Sequence, residues 1–94
     1  MALLSEHDLS AGLSDLRWER DGDSLVKSVK GEDFAAALAY VNAVAAKAEA
    51  ADHHPDIDIR WNTVKLRLST HSEGGITDKD LALARQIDLV EQPS

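Results

Sequence analysis

The position that most constrains the fold is Pro55, which follows an Ala-rich stretch and two adjacent histidines. Alanine is the best helix former, so the stretch from Glu32 to Ala50 predicts a long helix. Proline cannot continue a helix, and it disfavours helical geometry in the residue before it. The chain must therefore become extended near His54. This leaves His53 and His54 at the end of a regular element, where binding and catalytic groups concentrate.

Strands are predicted on both sides of the long helix. After Pro55 the chain alternates apolar and polar residues, which is typical of strands with one buried face. The apolar positions are Ile57, Ile59 and Trp61 in one run and Val64, Leu66 and Leu68 in the next. Asn62 is a turn candidate between the runs, and Trp61 is expected to anchor the sheet. Before the helix, residues 18–30 predict a hairpin around the turn sequence Asp21-Gly22.

Two further helices complete the predicted order. Ser5 would cap a first helix ending near Leu16, and Thr77 would cap a last helix, with Asp80 in the position of a capping box. The central helix is expected to bury one apolar stripe, formed by Phe34, Leu38, Val41, Ala45 and Ala48. The order α-β-β-α-β-β-α over residues 1–94 predicts one α+β domain, a four-stranded antiparallel sheet with three helices packed on one face.

Composition excludes several classes of function. The 94 residues contain no cysteine, which excludes disulfides, thiol catalysis and a Cys-based zinc site. The net charge of −7 disfavours nucleic-acid binding, and the few basic residues near Lys65 and Arg67 suit a solvated strand face. No apolar run is long enough for a membrane span, and Met1 to Glu6 does not read as a secretory signal. A cytoplasmic location is expected.

Three of the four histidines, His53, His54 and His71, lie at the ends of predicted elements. A histidine can give and accept a proton near neutral pH, so all three are candidates for general acid–base catalysis. Glu49 lies one helical turn before His53, and is expected to pair with it and stabilise its protonated form. Ordinary roles compete with this: a cation at a helix end, or a loop side chain bonded to backbone.

A metal site is the other interpretation of these histidines. His71 and one of the other two could form a His-His-carboxylate set with Glu49, Asp52 or Asp80. The spacing matches no zinc signature such as H-E-x-x-H, so no metal is expected.

The segments that carry these histidines match a known family pattern. They are Glu49-x3-His53-His54-Pro55, then Trp61, Leu68-Ser69-Thr70-His71, Gly75-Ile76-Thr77 and Asp80. In sequence and spacing they resemble the pterin-4a-carbinolamine dehydratases, and weaker similarity extends over nearly the whole chain. The family implies the same α+β architecture.

The resemblance also implies an activity and a set of site residues. The enzyme would convert 4a-hydroxytetrahydropterin to quinonoid dihydropterin and water, in the recycling of a tetrahydrobiopterin-type cofactor used by an aromatic amino acid hydroxylase. His53 and His54 would protonate the 4a-hydroxyl, with His71 on the other side of the pterin. The implied substrate-binding residues are Glu49, Pro55, Thr70, Ser72, Glu73 and Asp80, although Asp80 would also be explained by helix capping alone. Trp18 would lie near the pocket or in the core.

The elimination transfers no net electrons, so no cofactor is implied. The family implies a homodimer or homotetramer, formed by sheet extension or by packing of the long helices. Two alternatives stay open: a non-catalytic interaction module, since animal members also stabilise a transcription-factor dimer, and a related pterin-handling enzyme of molybdopterin metabolism. Strand residues 26–30 lack the aromatic side chains common in the family, and the segment Asp56–Asp58, expected as a loop, is unusually acidic.

Overall fold

A computed structural model describes residues 3–93, and its elements confirm the predicted α+β order. Within that range the elements are α1 (Glu6–Leu13), β1 (Glu19–Asp21), β2 (Ser24–Lys30), α2 (Phe34–Ala51), β3 (Asp56–Arg60), β4 (Thr63–Leu68), a short 3-10 helix (His71–Glu73) and α3 (Asp78–Asp88). No helix in the described range is both long and apolar enough to cross a membrane.

The four strands form one antiparallel sheet in the order β1-β2-β4-β3. The central pair aligns Leu25 with Leu68 and Val29 with Val64, and these side chains are buried on the face that the helices cover. α2 packs on β3 and β4, and α3 packs on α2. The sheet therefore has one apolar face against the helices, which is how an α+β domain builds its core.

Side-chain caps set where the helices begin. Ser5 accepts a hydrogen bond from the Asp8 N–H, and Asp33 accepts one from the Ala36 N–H at 2.8 Å. Because Asp33 is the cap, α2 begins at Phe34 and not at Glu32 as predicted.

The first helix and the first hairpin differ slightly from the prediction. α1 ends at Leu13 and not near Leu16, since the Ser14 hydroxyl donates to the Ala11 carbonyl and competes with the helix. The hairpin turn is Gly22-Asp23 and not Asp21-Gly22, with Gly22 at a φ of +61°. Positive φ is readily adopted by glycine, which explains the one-residue shift.

Two predicted core positions are wrong. Phe34 and Leu38 are 49% and 41% exposed, because α2 turns Ala37, Tyr40 and Val44 toward the core. The predicted stripe is therefore rotated toward solvent at its N-terminal end.

Trp61 does not anchor the sheet. The connection between β3 and β4 has only two residues, Trp61 and Asn62, and Trp61 at its tip is 66% exposed with a φ of +53°. Asn62 anchors this turn instead. Its side-chain amide donates to the Gly31 carbonyl at 2.9 Å, and its backbone carbonyl accepts from the Gly31 N–H. The acidic segment from Asp56 is strand β3, not a loop.

Candidate active site

The way α2 ends sets the directions of the His53 and His54 side chains. The helix ends at Ala51, and Asp52 adopts the left-handed conformation with φ 50° and ψ 42°. The N–H groups of Asp52 and His53 close the last turn by bonding the carbonyl of Ala48. The chain thus leaves the helix axis one residue before His53, so helical spacing no longer governs where the two imidazoles point.

His53 pairs with Asp80, the capping-box residue at the start of α3. The two side chains meet with 2.6 Å between Nε2 and Oδ1, where Asp80 is fully buried and the His53 side chain is 12% exposed. The contact joins residues 27 apart in sequence, and it fixes the end of α2 to the beginning of α3.

His54, not His53, is the partner of Glu49, which corrects the sequence expectation. Glu49 Oε2 lies 2.5 Å from His54 Nε2, and both side chains are exposed. The expected pairing assumed a continuous helix, whereas the left-handed turn at Asp52 carries His53 across to α3. Each of the two adjacent histidines therefore has its own carboxylate, one buried and one in solvent.

Asp80 serves the helix and the histidine through different oxygens. Its Oδ2 accepts from the Thr77 N–H and from the Thr70 hydroxyl, each at 2.9 Å, and its Oδ1 faces His53. The predicted capping box is confirmed, since Thr77 also caps α3 with its hydroxyl. Capping is thus only part of what Asp80 does.

The remaining candidate residues follow β4. His71, Ser72 and Glu73 form the 3-10 helix, which is closed by paired backbone hydrogen bonds between Thr70 and Gly75. His71 and Ser72 are exposed, Glu73 and Pro55 are half-buried, and Thr70 is buried. Thr70 therefore differs from the other candidates in having its hydroxyl inside the protein.

A cavity of about 140 Å³ borders His53. It lies between the end of α2 and α3, and it is lined by Ala51, His53, Lys79, Ala82, Leu83 and Gln86. Pockets for small molecules usually enclose roughly 300–1,000 Å³. A ligand bound next to His53 would therefore stay partly uncovered on this chain alone.

The family model for pterin 4 alpha carbinolamine dehydratase matches residues 2–90. The chain belongs to the pterin-4a-carbinolamine dehydratase family. The resemblance carried by the histidine segments is thereby confirmed.

Curated relatives in this family include proteins of Nocardia farcinica and Mycobacteroides abscessus. The first is 55% identical over 87 residues and 92% of each chain, and the second is 56% identical over 89 residues, 94% of this chain and 95% of its own. Both carry the name pterin-4-alpha-carbinolamine dehydratase as a provisional assignment.

Two solved structures share the fold. A crystal structure described as a transcriptional coactivator/pterin dehydratase from Brucella melitensis has a TM-score of 0.87 and 32% identity, covering 94% of this chain and 97% of its own. A pterin dehydratase-like protein described as a RuBisCO assembly factor in the alpha-carboxysome has a TM-score of 0.66 and 21% identity, covering 88% and 96%. The second likeness concerns the fold alone.

A second cluster in this dehydratase-family chain lies at the other end of α3. The Asp88 carboxylate accepts from Lys27 Nζ at 2.5 Å, from Trp18 Nε1 at 2.9 Å and from the Arg17 N–H at 2.9 Å. Trp18 is buried, so of its two predicted positions the core is the one observed. No sequence signal indicated this cluster, because Asp88 is 61 to 71 residues away from its three partners.

Two pKa shifts lie outside the histidine site. The hydrogen bond and charge of Arg67 lower the pKa of the exposed Asp21 carboxyl, and burial followed by the charge of Asp88 raises the pKa of Tyr40 to about 12. Among residues 3–93, no three His, Cys, Asp or Glu side chains are grouped so as to hold a metal ion.

Proposed function

We propose that this chain dehydrates 4a-hydroxytetrahydropterin to quinonoid dihydropterin and water. The observation that carries the proposal is the pair of adjacent histidines, His53 and His54, each with its own carboxylate. Membership of the dehydratase family and relatives that share more than half of their residues support it.

The reaction needs one proton donor and one proton acceptor. The carbon–oxygen bond breaks and the hydroxyl leaves as water after taking a proton, while a ring nitrogen loses its proton as the C=N bond forms. Each of the two imidazoles lies within hydrogen-bond distance of a carboxylate, and a histidine held in this way can serve as a proton donor or acceptor. The two pairs differ in burial, and such a difference in environment is the usual way to give similar groups different roles.

The remaining candidates surround this pair in the proposal. His71 emerges one residue after Thr70, whose hydroxyl touches Asp80, so it begins next to the same network. We assign His71 to the opposite side of the pterin, and Glu49, Pro55, Ser72 and Glu73 to substrate binding. In this role the chain would recycle a tetrahydrobiopterin-type cofactor for an aromatic amino acid hydroxylase.

The test is a stopped-flow assay in which 4a-hydroxytetrahydropterin is generated in situ and its decay is followed. Wild type should accelerate the decay, and His53→Ala, His54→Ala and His71→Ala should each lower kcat by about 10²-fold, the usual contribution of a general acid or base. His7→Ala is the matched control, because His7 is an exposed histidine in α1 and is not one of the proposed site residues. It should retain wild-type kinetics.

Circular dichroism must show that every variant is folded. If correctly folded wild type does not accelerate the decay, the dehydratase proposal is wrong and a binding role gains weight. A coactivator function is named for the Brucella relative, and a module of that kind would not depend on the histidines.

We also propose that the chain forms a homodimer or homotetramer through α2. The exposed residues Ala35, Ala39, Asn42 and Ala46 alternate spacings of four and three, which is the pattern of a helix that packs on another helix. No charged residue occurs from Phe34 to Ala46, so the partner surface should be equally uncharged. A second copy of the same helix meets this condition.

A further inference from the structure

We propose that Thr70 is a positioning residue whose hydroxyl orients Asp80, so that His53 exchanges protons with substrate through its Nδ1 atom. The proposal rests on the dehydratase function proposed above. It differs from the role implied by the family resemblance, in which Thr70 lines the substrate site.

The surroundings of Thr70 are those of an internal hydrogen-bonding group. Thr70 is only 6% exposed, and its Oγ1 lies 2.9 Å from Asp80 Oδ2 and 2.7 Å from Thr77 Oγ1. A hydroxyl has one hydrogen to donate. Both contacts are within the protein, so the donor is already committed before any substrate arrives.

The direction of each hydrogen bond in this series follows from the two groups at its ends, the Lys79 N–H and the Asp80 carboxylate. The Lys79 backbone N–H can only donate, and it lies 3.3 Å from Thr77 Oγ1. A carboxylate such as Asp80 accepts at both oxygens. The Thr77 hydroxyl therefore donates to Thr70, and the Thr70 hydroxyl donates to Asp80 Oδ2. The series runs in one direction and ends at the carboxylate.

Oδ2 of Asp80 thus receives two donors from protein, the Thr70 hydroxyl and the Thr77 N–H. Two donors on one oxygen hold the carboxylate plane and turn Oδ1 toward His53. Because Oδ1 accepts, the hydrogen of the neutral imidazole is on Nε2, as in other sites where a carboxylate fixes the tautomer of a histidine. Nδ1 is the nitrogen left to give or take a proton.

The test compares Thr70→Val with Thr70→Ser by activity and by nuclear magnetic resonance. Valine has nearly the shape of threonine but no hydroxyl to donate, whereas serine retains the hydroxyl. In the stopped-flow assay Thr70→Val should lower kcat by up to about 10²-fold with KM nearly unchanged, the loss that a misplaced catalytic group can cause. Thr70→Ser should recover most of kcat. Thr63→Val is the matched control, since Thr63 is a half-buried threonine in β4 that bonds Asn62 and should keep wild-type kinetics.

The resonance measurement follows the ¹⁵N shifts of His53 at a pH where the ring is neutral, and needs no substrate. Wild type, Thr70→Ser and Thr63→Val should show the Nε2–H tautomer, and Thr70→Val should show a mixture of both tautomers. This change would not follow from a role in folding alone.

Each outcome decides between the claims. A Thr70→Val variant with raised KM and unchanged kcat would make Thr70 a substrate-binding residue and overturn the positioning role. Wild-type tautomers in Thr70→Val, or Nδ1–H in wild type, would also overturn it. If the tautomers behave as expected but wild type lacks activity, the positioning role holds and the dehydratase function fails. Should Thr70→Val not fold, Thr70→Ser still tests the tautomer assignment, because it must retain Nε2–H.

Discussion

Two buried polar residues, Asp80 and Tyr40, differ in how their oxygen atoms are hydrogen-bonded. Asp80 caps α3 through Oδ2 and receives His53 at Oδ1, so one carboxylate links a helix start to the candidate site. Tyr40 is the opposite case: its hydroxyl is buried without a hydrogen-bond partner among the described residues. A buried group left unpaired is destabilising, whereas a shared one such as Asp80 stabilises two contacts at once.

Tyr40→Phe is expected to stabilise the protein or leave it unchanged near neutral pH, by at most about 1 kcal/mol, because it removes the unpaired hydroxyl. At high pH the two proteins should diverge. The folded pKa of Tyr40 is raised from 10.0 to about 12, so between these pH values the tyrosine ionises more readily in the unfolded state, and the free energy of unfolding falls as pH rises from about 10 to about 12. Urea unfolding at about pH 9 and about pH 11 should show wild type losing about 1 kcal/mol more than Tyr40→Phe over this interval.

Tyr40 is the single tyrosine of the chain, so absorbance near 295 nm titrates it directly. Lysines also titrate in this range, but they do so in both proteins. Equal losses in wild type and Tyr40→Phe would contradict the expectation.

At the residue level, the sequence predicted local partners and missed distant ones. Thr77 and Asp80 were recognised as a capping box because their spacing is fixed by the helix. The His53–Asp80 contact depends on how α2 and α3 pack, which no local spacing encodes. Helical spacing predicts that Glu49 faces His53, but Asp52 takes the left-handed conformation in which glycine is the usual residue, and Glu49 pairs with His54 instead.

Among the elements, α3 makes polar side-chain contacts with other elements at both of its ends. Its beginning carries Asp80, and its end carries Asp88, which binds the buried Lys27 of β2. The Lys27 side chain is 4% exposed, so its charge depends on Asp88 for compensation. Removing one partner of such a buried pair leaves an uncompensated charge.

Asp88→Asn should therefore lower the free energy of unfolding by about 3 kcal/mol, as expected for one broken buried pair. The matched control is Asp58→Asn, since Asp58 pairs with Arg60 on the exposed edge of the sheet. Exposed pairs contribute at most about 1 kcal/mol, so this control should lose little. Urea unfolding of the three proteins checks both values. Similar losses in the two variants would show that the Lys27–Asp88 pair is not a major source of stability.

The type and order of the elements followed from the sequence, whereas the face that a helix buries did not. Pro55, the alternating strands and the caps fix local geometry strongly. α2 is nearly apolar all round, with alanine on every side, so its pattern does not single out one face. The position of the sheet decides which face of α2 is buried, and Phe34 and Leu38 lie on the face that stays exposed.

For the molecule as a whole, that exposed face of α2 bears on assembly. Leu38 is exposed, three residues after Ala35 and four before Asn42, so it shares the helix face of the proposed contact between copies. Leu38→Glu places a charge there and should convert the homo-oligomer to a monomer because a buried unpaired charge is costly. Leu89→Glu is the control, since Leu89 is more exposed than Leu38 but lies after α3. Light scattering coupled to size-exclusion chromatography gives the mass of each. A monomeric wild type, or an assembly that Leu38→Glu leaves intact, would contradict the proposal.

The contrast between the two tryptophans gives the molecule two separate optical reporters. Trp18 is buried beside Lys27 and Asp88, whereas Trp61 stands in solvent at the β3–β4 turn. Emission from Trp18 is therefore tied to the integrity of the interior, and a soluble quencher reaches Trp61 alone. Replacing Trp61 by phenylalanine isolates a signal for unfolding, and replacing Trp18 by phenylalanine isolates one for events at the surface. Loss of structure and arrival of a partner can then be followed separately in the same chain, without an added dye.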